Sequence, residues 1–117
     1  MKTKIFCFDL DGVICTTIRG QYNKSKPKKK NIKFINDMYD KGHIIKIFTA
    51  RYMTRCNGNI KLVKKAGYDQ AQKQLKKWKL KYHNLIMGKP SYDLFVDDKA
   101  FGFKKSWVKE LKTVKKK

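Results

Sequence analysis

The chain has 117 residues, 41% hydrophobic and 13% aromatic, which suits one domain with a real hydrophobic core and excludes a disordered chain. Its 30 basic residues against 9 acidic ones give a formal net charge of +21. No apolar run approaches the roughly 18 residues needed to span a bilayer, and Asp9 and Asp11 spoil Met1–Phe8 as a signal peptide, so a soluble, cytoplasmic protein without membrane contact is expected.

In chain order, Ile5-Phe6-Cys7-Phe8 is a short apolar run ending at Asp9, the pattern of a strand buried on both faces of a parallel sheet. Gly12 breaks it, and Val13 to Lys26 reads as a loop with a small hairpin or turn. Pro27 suits the first position of a helix in which Ile32, Ile35, Met38 and Tyr39 recur at helical spacing, stopped by Gly42. Ile44 to Phe48 is a second strand, ending at Thr49. Beyond the Asn57-Gly58 turn, Ile60 to Lys65 predicts a short helix closed by Gly67, and Ala71, Leu75 and Trp78 a second one. Leu85-Ile86-Met87 and Leu94-Phe95-Val96 are two further strands, ended by Gly88-Lys89-Pro90 and by Asp97-Asp98. Trp107, Leu111 and Val114 mark an amphipathic C-terminal helix. Residues 1–114 thus form a single domain, with Lys115 to Lys117 as a frayed tail. Alternating strands and helices give an α/β fold: a central parallel sheet flanked by helices in three layers, Rossmann-like, with ligands bound beyond the C-terminal strand ends.

Cys7, Cys15 and Cys56 are odd in number and lack metal-ligand spacing, as expected of free thiols, with Cys7 a small core residue. The basic excess is nearly all lysine, with arginine only at Arg19, Arg51 and Arg55. Lysines occur in every region. Since arginine is the preferred residue for bidentate phosphate and base recognition, a solvated surface is favoured over a dedicated nucleic-acid patch. The field still draws anionic substrates inward.

Four of the nine acidic residues form two pairs, Asp9 with Asp11 after the first strand and Asp97 with Asp98 after the last. A parallel sheet brings both pairs to one edge. Clustered carboxylates repel unless a cation or shared proton offsets them, and an oxygen-rich site of this kind suits Mg²⁺. A Thr49 hydroxyl at the second strand end can donate to a phosphoryl oxygen. An ammonium at Lys89, in a tight Gly-Lys-Pro turn, can neutralise a phosphoryl group and a nucleophilic carboxylate together. Arg51 suits either a substrate-anion clamp or a surface salt bridge.

Phe8-Asp9-Leu10-Asp11-Gly12-Val13 resembles motif I of the haloacid dehalogenase superfamily. Ile45-Lys46-Ile47-Phe48-Thr49 resembles motif II, Lys89 motif III, and Phe95-Val96-Asp97-Asp98 motif IV. Thr49-Ala50-Arg51, Gly88-Lys89-Pro90 and Val96-Asp97-Asp98-Lys99-Ala100 are also similar to small phosphatases of capsular polysaccharide biosynthesis. The resemblance implies that Asp9 attacks phosphorus, that Asp11 protonates the leaving oxygen and then activates water, and that Thr49, Ala50, Arg51 and Lys89 hold the substrate. It also implies Mg²⁺ bound by Asp9, the Asp11 carbonyl and Asp97, with Asp98 contacting it directly or through water. An acid at Asp11 fits a phosphatase, since dehalogenases of the superfamily lack one there.

Neither inter-motif gap leaves room for a cap domain, so the site is expected to be open unless a second copy of the chain covers it. The expected activity is a phosphomonoesterase acting on a small anionic metabolite such as a sugar phosphate. The alternatives are a phosphatase of nucleotides or polynucleotide ends, and an inactive fold of this type that binds nucleic acid through its lysines.

Overall fold

The computed structural model describes residues 2–90, 94, 96–99, 101, 102 and 107–115. Its centre is a parallel sheet of β1 (Ile5–Asp9), β4 (Ile44–Thr49) and β5 (Asn84–Met87), with β4 in the middle. Ile5 lies opposite Ile44 and Phe8 opposite Ile47, while Ile47 lies opposite Leu85 and Thr49 opposite Met87. All three strands therefore finish at one level. Between β1 and β4 come β2 (Cys15–Thr16) and β3 (Lys26–Pro27), an antiparallel two-residue hairpin, and then α1 (Lys29–Asp40). Between β4 and β5 runs α2 (Ile60–Lys77), and α3 (Trp107–Lys115) follows.

The apolar spacing explains which faces are covered. Ile32, Phe34, Ile35 and Met38 are the buried side of α1. Gly42, at φ +92°, ends the helix in the left-handed conformation that glycine reaches without a Cβ penalty. On β4, Ile45, Ile47 and Thr49 alternate into the interior. Trp107 of α3 lies 5.8 Å from both Phe8 and Phe34, joining the first strand, the first helix and the last in one core. Trp107 and Leu111 are buried as their spacing predicts, whereas the Val114 side chain lies outside the described residues. No described helix is long and apolar enough to cross a membrane.

Four local expectations are corrected. Pro27 does not open α1 but pairs with Cys15 in the hairpin, and the helix starts two residues later. The two helices expected between Ile60 and Trp78 are one. Gly67 does not close a helix; it is buried inside α2, where a Cβ would collide with the Tyr52 ring, so its missing side chain admits a close approach. β1 is buried on one side only: Ile5 is 62% exposed and Cys7 is exposed, so Cys7 is not a core residue. Finally, Leu94 and Val96 are not in a strand and are 80% and 88% exposed, while Phe95 lies outside the described residues, as do Lys116 and Lys117 of the tail. Among the described residues the sheet has three strands rather than four, and the edge of β1 away from β4 is unpaired.

Candidate active site

The parallel register delivers three chain segments to one end of the sheet. β1 delivers Asp9, then turns at once: Leu10 donates its N–H to the Phe48 carbonyl and accepts from Ile14 and Cys15, which swings Asp11 back over the strand end. Gly12 takes φ +95° in that turn. β4 delivers Thr49, Ala50 and Arg51. β5 delivers Gly88 and Lys89, whose N–H groups both donate to the Thr49 carbonyl, at 3.2 and 3.1 Å. The result is an open pocket of about 440 Å³ lined by Asp9, Asp11, Ala50, Arg51 and Lys89, with Thr17, Arg19, Tyr22 and Thr54 around them.

Two ion pairs of different character share this pocket. Lys89 Nζ lies 3.4 Å from Asp9 Oδ2, with the two side chains 15% and 36% exposed. Burial pushes the Asp9 carboxyl above its ordinary range, and the Lys89 charge offsets only part of that. The second pair is Asp11 with Arg51, whose side chain is fully buried. Arg51 Nε donates to Asp11 Oδ2 at 2.9 Å, and its Nη2 donates to Oδ1 at 2.8 Å, a two-pronged contact. Thr17 adds a hydroxyl donor to Oδ1 at 2.5 Å. Burial alone would raise the Asp11 pKa, but the guanidinium and the hydroxyl outweigh it and hold the carboxyl below its usual range. The guanidinium is satisfied on every side: Nη1 donates to Gln74 Oε1 at 2.7 Å, Nη2 to Ser25 Oγ at 3.3 Å, and the Tyr22 ring centroid lies 4.9 Å from Cζ.

The sequence-predicted residues therefore divide. Asp9, Asp11, Ala50, Arg51 and Lys89 meet in the pocket. Thr49 does not line it; it is wholly buried, and its hydroxyl accepts the Arg51 N–H at 3.1 Å, fixing the turn that presents Arg51. Asp97 and Asp98 are exposed and outside the pocket; Asp97 accepts the Lys99 N–H at 2.9 Å. Arg51 forms a salt bridge, but a buried one with Asp11 rather than the surface pair expected as the alternative to a clamp. Thr17, Ser25, Tyr22 and Gln74 were missed. They act through single polar groups contributed by the hairpin loop and α2, and only Gln74, next to the buried Leu75, carries a signal at all: a polar residue on the covered side of a helix.

The pocket's fit to Mg²⁺ rests on its donors. Among the described residues no three acidic, histidine or cysteine side chains stand together as a metal cluster. Mg²⁺ needs less, because it commonly takes one or two protein carboxylates and completes its shell with water and substrate phosphate. The Asp9 carboxylate and the Asp11 main chain at a strand end meet that smaller requirement.

No protein-family model matches the chain, and no curated protein matches it. A crystal structure of an MCSG target from Vibrio cholerae is similar, with a TM-score of 0.79 over 97% of this chain and 99% of that one, at 22% sequence identity. At that identity the likeness is one of fold, and it supports a small α/β architecture for the whole chain.

Proposed function

We propose that this chain is a phosphatase of the haloacid dehalogenase type, hydrolysing small phosphate monoesters such as sugar phosphates through an aspartyl-phosphate. What carries this reading is the pairing of Asp9 with Lys89 at the mouth of the pocket, 3.4 Å apart, with a second carboxylate beside them. A carboxylate oxygen of Asp9 attacks phosphorus as the ester oxygen departs, taking the proton of Asp11 with it. Water then attacks the acyl phosphate, gives its proton to Asp11, and inorganic phosphate leaves with Asp9 restored. Lys89 offsets charge on the phosphoryl oxygens throughout. Mg²⁺, when bound at Asp9 and the Asp11 carbonyl, would add neutralising charge to the phosphoryl group.

The Arg51 contact gives Asp11 the right form for the second step, since a carboxylate held ionised is a base. Protonating the leaving oxygen in the first step requires the opposite state. The negative charge of a phosphoryl group bound beside Asp11 opposes the effect of Arg51 and favours the protonated carboxyl.

Lys89→Met separates charge from fold. Asp9 must be ionised to attack, burial raises its pKa, and Lys89 lowers it. Removing the ammonium lets that pKa rise further, so the acid limb of the kcat/KM profile moves to higher pH, and the maximal rate falls about 10²- to 10³-fold. A limb that stays in place would show that Lys89 does not act on Asp9.

The finer fold belongs to the same proposal. Leu94 and Val96 hold large apolar side chains in water while β1, among the described residues, has an open edge with Ile5 exposed on it. Laying Leu94 and Val96 along that edge buries both and carries Asp97 to the strand end beside Asp9. Asp97→Asn then raises the Mg²⁺ concentration for half-maximal activity at least about tenfold, as loss of a metal partner commonly does. An unchanged Mg²⁺ titration would mean that Asp97 stays outside the pocket.

A further inference from the structure

A second groove lies away from Asp9. Its volume is about 550 Å³, and Lys29, Lys33, Lys77, Lys79 and Trp78 line it, over a floor that includes Ile32. Lys29 and Lys33 are one helical turn apart on α1, and Lys77, Trp78 and Lys79 follow in sequence at the end of α2. The two sides are tied rigidly together: Asn36 of α1 donates to the Lys79 carbonyl at 3.0 Å and accepts the Lys81 N–H at 2.7 Å. Four lysines face one aspartate, Asp37, whose exposed pair with Lys33 is 3.5 Å long and weak. Trp78 is partly buried against the core, so its indole is held in place while still lining the groove.

We propose that this groove binds single-stranded nucleic acid, with the lysines on the phosphates and a base stacked on Trp78. Lysine point charges beside a fixed aromatic plane are what sequence-tolerant single-strand binding requires. Stacking on one indole contributes about 1–3 kcal/mol by alanine substitution, and unpaired bases alone offer it a free face. With lysine rather than arginine along it, the groove is not built for bidentate reading of base edges, and its ammonium groups meet the phosphates as point charges. The site is independent of the phosphatase chemistry, and its test uses no turnover.

The probe is a fluorescein-labelled dodecathymidylate, followed by anisotropy across a salt series. The variant Lys29→Gln/Lys33→Gln/Lys77→Gln/Lys79→Gln is compared with Lys61→Gln/Lys64→Gln/Lys65→Gln/Lys73→Gln, which removes equal charge from exposed positions of α2. The groove variant weakens binding at least about 30-fold near 0.1 M salt and lowers the salt slope by about 3, whereas the control changes affinity less than about fivefold. Intrinsic fluorescence gives a second readout: of the two tryptophans Trp107 is buried, so quenching by the oligonucleotide reports Trp78 and vanishes in Trp78→Phe. If the fourfold groove variant loses its circular-dichroism signature, Lys29→Gln/Lys33→Gln on exposed α1 positions replaces it. Equal losses in both lysine sets would overturn the proposal. So would no binding by the wild type, or polyphosphate held as tightly as the oligonucleotide with Trp78→Ala without effect.

Discussion

Asp9→Asn will fold like the wild type yet release phosphate from an aryl phosphate at least about a thousandfold more slowly, the scale on which an essential nucleophile is lost. The amide keeps the shape of the carboxylate and remains within reach of Lys89, so packing around β1 is undisturbed. What it lacks is a negatively charged oxygen able to form a bond to phosphorus. The amide oxygen still offers the Lys89 ammonium an acceptor, and position 9 is 36% exposed and so open to water, which keeps the cost to stability small. Thermal melts together with initial rates check both halves. A correctly folded Asp9→Asn protein of full activity would remove Asp9 from the chemistry.

Asp11→Ala will lower stability more than Arg51→Met, although each breaks the same ion pair. The difference lies in burial. The Arg51 side chain is fully enclosed and the Asp11 side chain is 28% exposed. Removing Asp11 strands a guanidinium that water cannot reach, at a cost of about 3–5 kcal/mol, or roughly 10–20 °C in Tm for a chain of this size. Arg51→Met fills most of the space and leaves a carboxylate that is still partly hydrated and still bonded to Thr17, at about 1–2 kcal/mol. The pH dependence has a definite sign. Asp11 has a lowered pKa in the folded state, so its contribution is present above the unfolded carboxylate pKa and is lost as the pH falls through the folded one. The gap between wild type and Arg51→Met therefore closes in acid. Chemical denaturation at neutral and acidic pH measures it, and equal losses in the two variants would show that Arg51 is not confined as the structure has it.

The strands ending at Asp9, Thr49 and Met87 were legible because an apolar run stopping at a polar residue is a local signal, and parallel pairing then puts those ends together. Asp9, Asp11, Arg51 and Lys89 followed from that placement. Gly67 misled because a glycine in a helical pattern reads as a stop; only the Tyr52 ring across from it explains its place inside α2. Cys7 misled because a run of apolar letters does not say whether both faces of an edge strand are covered. The half-buried polar groups Thr17, Ser25 and Gln74 left almost no trace, since each adds a single hydrogen bond to the Asp11–Arg51 pair from a position far from it in sequence or in a loop. The choice between Arg51 as clamp and as salt bridge turned on burial, which no spacing encodes.

The covalent intermediate is the most direct thing to look for. Protein mixed with a radiolabelled phosphate monoester and quenched in acid within one turnover should carry label on the peptide containing Asp9, released by hydroxylamine as an acyl phosphate is and missing in Asp9→Asn. Product phosphate formed without such label, or label on any other residue, would contradict the account.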